Sequence, residues 1–460
     1  MLNPNLRTYR SFGYFALHVA MASGFLIVFS MSDHVEILVK YVIASLILYI
    51  AIVKRFDYLD PFVGYLIPWI IILFFSITRL SQYAISIHFA TYSLVLLAIS
   101  GGLFVAGGRS QKIAGTRCWA KPSTYWLSSG TIFLLIDIFF LVFTLANIMI
   151  AGYIPILRGL SGDGTGYLDF GIHGVYGFYL ALANALAIVN FIIFLRTGKR
   201  IYIVRYISIL VIFVALVTRQ NLISVAVESV IAYTLVRGRI KWRTIMLGAA
   251  TVGIVFSIMG SFRSGSIREI AGIEKQYSGV PEPVIWLYAY SYFNIANMDV
   301  LISQSNAPYY NASSLSRLIP SFLRPKYDTE SYLLVNSFNV SSYMYPVYED
   351  VGRVGVLLLT MTALGLTFRK YRLLNQVVSI GDVGTYCVLY FCASFSFFFN
   401  FWFFLPVIFQ IVFFKVLSNV SELACISITN LHPLKISIYL KTLRRLPIRT
   451  ISLANKNALR

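Results

Sequence analysis

The sequence predicts an all-helical integral membrane protein that crosses the bilayer about twelve times. Its composition is 58% hydrophobic and only 12% charged, whereas soluble domains carry roughly 25% charged residues. Apolar runs long enough to cross a membrane as helices recur along the chain. Basic residues gather in every second connection between those runs, which is the pattern typical of cytoplasmic loops. Together these observations exclude a soluble globular domain.

Twelve apolar runs give the predicted transmembrane helices. Most are long enough to cross the roughly 30 Å hydrocarbon core of a bilayer. The runs cover residues 12–30, 35–53, 62–78, 83–107, 126–150, 174–195, 201–218, 221–236, 243–259, 350–368, 383–399 and 401–418. The weakest separations are the connection of Thr218, Arg219 and Gln220 and the tight turn at Asn400. An error at either would reverse the side of every later loop.

The distribution of charge gives the predicted orientation. When alternate connections are assigned to opposite sides, roughly 27 of the 38 basic residues fall on one side and about 12 of the 18 acidic residues on the other. Because cytoplasmic loops collect Lys and Arg, both termini are predicted to be cytoplasmic. The net charge of +20 therefore indicates topology, and no nucleic-acid partner is expected.

Polarity divides the chain into four predicted regions. They are transmembrane helices 1–9 with short loops (1–259), one long periplasmic loop (260–342), transmembrane helices 10–12 (343–418) and a basic cytoplasmic tail (419–460). The long loop is rich in arginine, carboxylates and aromatic residues, so we expect helical segments in it that pack onto the membrane domain. The tail is either an amphipathic helix on anionic lipid or a solvated basic segment.

No cofactor or metal is expected from the motifs. The four cysteines lie far apart or in apolar runs, at Cys118, Cys387, Cys392 and Cys425, so they indicate neither a disulfide framework nor a metal site. The phosphate-binding pattern GxxxxGK[ST] does not occur, which argues against a nucleotide site. The chain also shows no internal repeat of the kind common in secondary transporters.

Basic residues on the extracytoplasmic side go against the orientation bias and need an explanation. They are Arg79, Arg158, Arg219, Arg263, Arg268, Lys275, Arg317, Arg324, Lys326 and Arg353. Arg219 is the most constrained, because it lies in a very short turn between two runs. Glu228 lies inside the following run and Asp137 inside the fifth. Carboxylates at such depth face the bundle interior and have partners. They are either structural pairs or line a polar cavity open to the outer face.

Two extracytoplasmic stretches are candidates for contact with a substrate. Residues 152–177 are rich in glycine and contain Arg158, which predicts either a mobile loop that gates a site or an ordinary connector. Residues 336–355 cluster amides, hydroxyls, phenols and carboxylates, among them Asn339, Tyr345, Tyr348 and Asp350. That cluster is typical of sugar recognition or of an interfacial aromatic belt beside a helix N-terminus.

Several short stretches of the chain resemble the bacterial O-antigen polymerases, a family of oligosaccharide repeat-unit polymerases. The similarity in hydropathy extends over nearly the whole chain, while the similar residues are few. They are Arg158 with Gly159, Arg219 in TRQNL, Arg263 in GSFRSG, and Asn339 through Tyr345 followed by Tyr348, Asp350, Gly352 and Gly355. Arg268 and Gly279 also fit an R-x10-G spacing that occurs in loops of some members.

The resemblance implies a GT-C-like glycosyltransferase of the bacterial inner membrane. Its expected substrates are undecaprenyl-diphosphate-linked oligosaccharides, and its expected partners are the bilayer and a chain-length regulator protein. Arginine forks suit a departing diphosphate, and a carboxylate suits the acceptor hydroxyl. The expected catalytic residues are Arg219, Arg263, Asp350 and Glu228. The expected substrate-binding residues are Arg158, Arg268, Arg317, Asn339, Tyr345 and Tyr348.

Two other functions remain open at this stage. An O-antigen ligase shares the many spans, the long loop and the lipid-linked donor. A flippase or other transporter of lipid-linked oligosaccharides also has about twelve spans, although two similar halves are expected there and one dominant external loop is not.

Overall fold

A computed structural model describes residues 35–54, 56–106, 129–161, 170–172, 174–238, 240, 242–325, 332–338, 341–374 and 379–429. These residues form helices joined by turns, and within them we find no strand beyond an isolated bridge between Ser81 and Ile273. The α-helices are α1 (Val35–Ile52), α2 (Pro61–Ser76), α3 (Phe89–Ala106), α4 (Ser129–Ala151), α5 (Pro155–Leu160), α6 (Tyr176–Thr197), α7 (Arg200–Ala215), α8 (Arg219–Arg237), α9 (Trp242–Ser264), α10 (Ile267–Ile270), α11 (Glu282–Gln304), α12 (Met344–Leu373), α13 (Ile380–Ser394) and α14 (Leu405–Thr429).

The predicted all-helical fold class is confirmed for the described residues. Each predicted transmembrane run from 35–53 onward contains a helix, while the run 12–30 lies outside the described residues. Within the part of the chain that the structure describes, four helices are long and apolar enough to cross a membrane, namely α1, α3, α6 and α12. The count of twelve crossings, and the side on which each loop lies, stay predictions.

Helix α6 is the centre of the bundle. It packs against α4, α7, α8, α13 and α14. Alternate alanines from Ala181 to Ala187 are buried, and such small side chains let neighbouring helices approach closely. The outer helices instead expose large apolar side chains, such as Leu141, Met149 and Ile254, which suits contact with lipid.

The stretch 260–342 contributes a helix to the interior. Helix α11 has Pro283 in its first turn, a favoured place for proline, and packs against α2, α3 and α9. One face carries Trp286, Tyr290, Phe293 and Asn297, at helical spacing. The opposite face carries Tyr288, Tyr292 and Asp299 and meets the turn that follows α2. The periplasmic placement of this stretch remains a prediction.

Two predicted transmembrane runs are only partly helical. The run 83–107 becomes helical at Phe89, and the run 383–399 stops being helical at Ser394. Residues 395–404 are a connector with a 3₁₀ turn at Phe401–Phe403, so the expected single tight turn at Asn400 is wrong. The physical reason is that apolar character alone does not separate a helix from a buried connector.

Helix α12 is broken near its start by Gly352. This glycine has φ 71° and ψ −158°, a left-handed conformation that only glycine adopts easily. Pro308 packs 3.5 Å from the point where a Cβ would stand. The break separates a short first segment, which bears Glu349 and Asp350, from the long apolar remainder of the helix.

Candidate functional site

Arg219 begins α8 directly after a sharp turn in which Val217 has φ 54°. Only 7% of the residue is exposed. Its guanidinium carbon lies 4.9 Å from the centre of the Phe256 ring and 5.4 Å from that of Trp286. A cation on a ring face is attracted by the negative π surface and keeps its charge. The structure therefore holds Arg219 as a buried cation in an aromatic cradle.

Gly260 makes this cradle possible. A Cβ at position 260 would lie 2.5 Å from a Trp286 ring carbon and 2.9 Å from a terminal nitrogen of Arg219, so no larger residue fits without displacement. Arg263 lies one turn further along α9, on the face that also bears Phe256. The structure thus brings the backbone of Arg263 to the end of α9 that lies beside Arg219. The Arg263 side chain lies outside the described residues.

A continuous layer of aromatic rings extends from the cradle. We define the aromatic floor as Phe256, Trp286, Tyr290, Phe338 and Phe398. Trp286 stacks on Tyr290 at 5.6 Å, and Tyr290 contacts Phe398 at 5.1 Å and Phe338 at 6.3 Å. The backbone at position 338 is fixed by the Asn297 side-chain amide, which donates to the Phe338 carbonyl at 2.8 Å. The floor is therefore rigid and joins α9 and α11 to the connector after α13.

Arg317 lies beside Phe399, which follows the floor residue Phe398 in the chain. Its guanidinium carbon is 4.1 Å from the centre of the Phe399 ring. Desolvation by the surrounding protein, followed by repulsion from Arg324, lowers the pKa of Arg317 to about 10. The residue as a whole is exposed. The group stays charged at neutral pH, so a second cation lies on an aromatic surface.

Asp350 anchors the turn that carries Arg317. Its carboxylate accepts hydrogen bonds from the Ser313 backbone N–H at 2.9 Å, the Ser313 hydroxyl at 2.8 Å and the Ser314 backbone N–H at 2.7 Å. These donors begin the 3₁₀ turn Ser313–Leu318. A carboxylate satisfies such N–H groups as a helix cap does. The geometry therefore makes Asp350 a positioning residue, and its expected contact with an acceptor hydroxyl stays a prediction.

Arg158 lies on the short helix α5, which packs against α7 and α9. Its guanidinium carbon is 4.6 Å from the centre of the Tyr153 ring. Further along the same loop, a Cβ at Gly174 would lie 2.7 Å from the Phe322 ring, so this loop touches the turn Ser321–Leu323. Residues 162–169 and 173 lie outside the described residues. The structure thus joins the two predicted extracytoplasmic loops.

Two of the predicted site residues lie apart from the cradle and floor. Arg268 donates to the backbone carbonyls of Tyr277, at 3.5 Å, and Val280, which closes the loop before α11. Glu228 is fully buried and accepts from the Ser224 hydroxyl at 2.6 Å and the Gln410 amide at 2.9 Å. The expectation that a carboxylate at this depth has partners is confirmed. Its proposed catalytic role has no support from this geometry.

The remaining predicted residues lie on the first segment of α12 or next to it. The Tyr345 hydroxyl is 3.3 Å from the Tyr332 backbone nitrogen, and Tyr348 is half-buried against the core. Asn339 lies outside the described residues.

Asp137 on α4 pairs with Arg205 at 3.1 Å. This is the structural pairing that the sequence left open for Asp137.

A polar pair between His88 and Asp299 escaped the sequence reasoning. Asp299 is buried and accepts from the His88 backbone N–H at 2.8 Å and the Thr91 hydroxyl at 2.5 Å, and the Nδ1 of His88 lies 2.8 Å from it. The imidazole itself is exposed. The partners are far apart in the chain, so no local spacing could reveal them. Asp299 lies on the face of α11 opposite the aromatic floor, and His88 packs against that face.

An open groove of about 360 Å³ runs between α9 and α11. It is lined by Ile254, Ser257, Ile258, Ser261, Glu282 and Pro283. The isoleucines are more than half exposed, and they lie two and six residues before Gly260, so the groove runs along α9 toward the cradle. Among the described residues, no group of three or more His, Cys, Asp or Glu side chains could hold a metal ion.

No protein-family model, curated protein or solved structure matches this chain. The fold is that of an all-helical protein with several helices suited to a membrane.

Proposed function

We propose that the protein is a glycosyltransferase of the bacterial inner membrane that polymerises undecaprenyl-diphosphate-linked oligosaccharide units into O-antigen or a related surface polysaccharide. The observation that carries the proposal is the cradle of Arg219. A buried guanidinium beside an aromatic floor, at one end of a helical bundle, suits a lipid whose head is a diphosphate and whose cargo is sugar. A chain-length regulator is the expected protein partner.

The chemistry is a group transfer. The hydroxyl oxygen of the acceptor sugar forms a bond to the anomeric carbon of the donor glycan, and the bond from that carbon to the diphosphate oxygen breaks. The diphosphate leaves with the electron pair, and the hydroxyl proton passes to a base. Negative charge on the leaving group grows as the bond breaks, so a fixed guanidinium stabilises the transition state more than the ground state.

The arginines have distinct roles in this proposal. Arg219 and Arg263, at the end of α9, hold the diphosphate, and Arg158 approaches from α5, which packs on the same helix. Arg317 lies on Phe399, next in the chain to the floor residue Phe398. Its role in the proposal is to bind acidic groups of the substrate. Asp350 acts through Arg317 by fixing the turn Ser313–Leu318.

The proposal is tested by complementation of a strain that lacks the gene, with electrophoresis of the surface glycan. Arg219→Ala is expected to abolish the ladder of repeat units while one unit stays attached, at normal protein level. Arg219→Lys is expected to recover only part of it, because an ammonium lacks the planar fork. The matched control is Arg79→Ala, since Arg79 is exposed and pairs with Glu36 at 2.9 Å. A normal ladder with Arg219→Ala overturns the diphosphate assignment.

The same gel separates the competing functions. Loss of the protein leaves a single attached repeat unit if the protein is the polymerase. Loss of even that unit indicates a ligase or a flippase, and the lipid-linked intermediates then distinguish the two. A ligase mutant accumulates long polymer on the lipid carrier, and a flippase mutant accumulates single units on the cytoplasmic face.

A further inference from the structure

The segment after α11 is clamped onto the first part of α12. The Tyr309 N–H donates to the Glu349 carbonyl at 2.7 Å, and the Tyr310 N–H donates to the Asp350 carbonyl at 2.9 Å. A few residues later the Asp350 carboxylate holds Ser313. Backbone hydrogen bonds on both sides of Tyr310 fix its position, so the residue is presented on a rigid support.

Tyr310 has a conformation that costs free energy. Its φ is 55°, in the left-handed region, which is uncommon and unfavourable for residues other than glycine. The ring contributes little to the core, because 77% of the residue is exposed. A strained backbone that holds a large aromatic ring in the open is a feature that concentrates at ligand-binding sites.

A partly buried polar cluster lies next to Tyr309, on the α12 side. The Tyr309 and Tyr332 hydroxyls lie 3.4 Å apart, and the Tyr345 hydroxyl reaches the Tyr332 backbone at 3.3 Å. Glu349 lies one turn after Tyr345 on the same face of α12. Phenols and a carboxylate can donate to and accept from several hydroxyl groups at once.

We propose that Tyr310, Tyr309, Tyr332 and Glu349 form a binding subsite for one pyranose unit of a glycan. The apolar face of the sugar stacks on the exposed Tyr310 ring, and its hydroxyls bond to the phenols and to the Glu349 carboxylate. The choice of a glycan as the ligand rests on the proposed function. The subsite is distinct from the diphosphate cradle, because it needs no cation and recognises only sugar.

The test measures binding of free glycan without any transfer reaction. Purified full-length protein in nanodiscs is titrated with oligosaccharide released by mild acid from the host's own surface polysaccharide, and with maltoheptaose as an unrelated probe. Saturation-transfer NMR reports the contact and the affinity. The variants are Tyr310→Ala, Tyr310→Phe, Glu349→Gln and, as a matched control, Tyr41→Ala, because Tyr41 is 61% exposed on α1.

We expect Tyr310→Ala to weaken binding of the host oligosaccharide about tenfold, the loss of one good aromatic contact. Tyr310→Phe keeps the ring and is expected to bind as the unaltered protein does, whereas Glu349→Gln is expected to weaken binding severalfold. Equal affinities for Tyr310→Ala and Tyr41→Ala overturn the subsite. Two results together separate the subsite from the polymerase function. If glycan binding by the purified protein depends on Tyr310 while the strain that lacks the gene keeps a normal ladder, the subsite is sustained and the polymerase function is refuted.

Discussion

Buried cations are held differently at the two ends of α8. Near its C-terminus, Lys54 is fully buried and pairs with Asp60 at 2.9 Å. At its N-terminus, Arg219 lies on the faces of two aromatic rings. The Tyr58 hydroxyl contacts Thr234 at 3.4 Å, which places the segment of Lys54 near the C-terminal end of α8. Thr234 lies roughly 22 Å along the helix from Arg219.

The difference lies in how the charge of each cation is balanced. A buried ion pair is neutral as a whole and is costly to break. A cation on a ring keeps its full charge, because the ring provides only a partial negative surface. Among the described residues, no carboxylate lies within ion-pair distance of Arg158 or Arg317. The ion pair at one end neutralises the buried charge, whereas the ring contacts at the other end stabilise the guanidinium in its charged form.

The largest expected effect comes from breaking the ion pair between Lys54 and Asp60. Lys54→Met leaves the Asp60 carboxylate buried without a cation, which we expect to lower the free energy of unfolding by about 3–5 kcal/mol. Thermal unfolding of the purified protein in detergent measures the loss. The double variant Lys54→Met/Asp60→Asn is expected to recover much of it, since Asn keeps the hydrogen bond to the Phe62 N–H that begins α2. No recovery would mean that the pair contributes little and that Lys54 acts by packing.

Arg317→Ala tests a second arginine that lies on an aromatic ring. We expect polymer formed per folded protein to fall about tenfold, the size of one charge-assisted contact, with little change in thermal stability. Membrane vesicles supplied with lipid-linked units provide the assay. Lys275→Ala is the control, since Lys275 is exposed in the same stretch. A drop in stability with unchanged specific activity contradicts the assignment of Arg317 to substrate.

Asp350→Asn distinguishes a positioning residue from a base. Asn cannot accept from Ser313 and Ser314 together, so the turn loosens, and we expect a severalfold loss of activity. The double variant Asp350→Asn/Arg317→Ala is expected to be no worse than Arg317→Ala alone, because both changes act through the same guanidinium. Activity losses that add fully in the double variant would instead support the acceptor contact predicted from the sequence.

The smallest expected effect concerns Glu228. Glu228→Gln can keep the hydrogen bond from Ser224, and the Gln410 amide can turn to donate and accept in the reverse sense. We therefore expect activity within about threefold of the unaltered protein. A loss of 100-fold or more at normal protein level would restore Glu228 as a catalytic residue and would require a path for substrate between α8 and α14.

Apolar runs predicted the helices well because helix position follows local composition. They failed where composition misleads: α11 contains Asn294, Asn297 and Asp299 and went unrecognised as a core helix, whereas the phenylalanines at 397–399 form a connector. The arginines were identified by their departure from the charge bias. Their aromatic partners were not, because contacts such as Arg219 with Trp286 depend on how distant helices meet. The backbone donors of Asp350 left no signal for the same reason.

Helix α11 is also held in place on two opposite faces. Tyr292 bonds to the backbone of Ile85 on one face, at 2.6 Å from its nitrogen, and Asn297 bonds to that of Phe338 on the other. Rotation of α11 would break both sets of bonds, so the helix acts as a fixed partition. The loops above it meet through the contact of Gly174 with the largely exposed Phe322 ring. The contact leaves 70% of Phe322 exposed, so little of the ring surface joins the two loops.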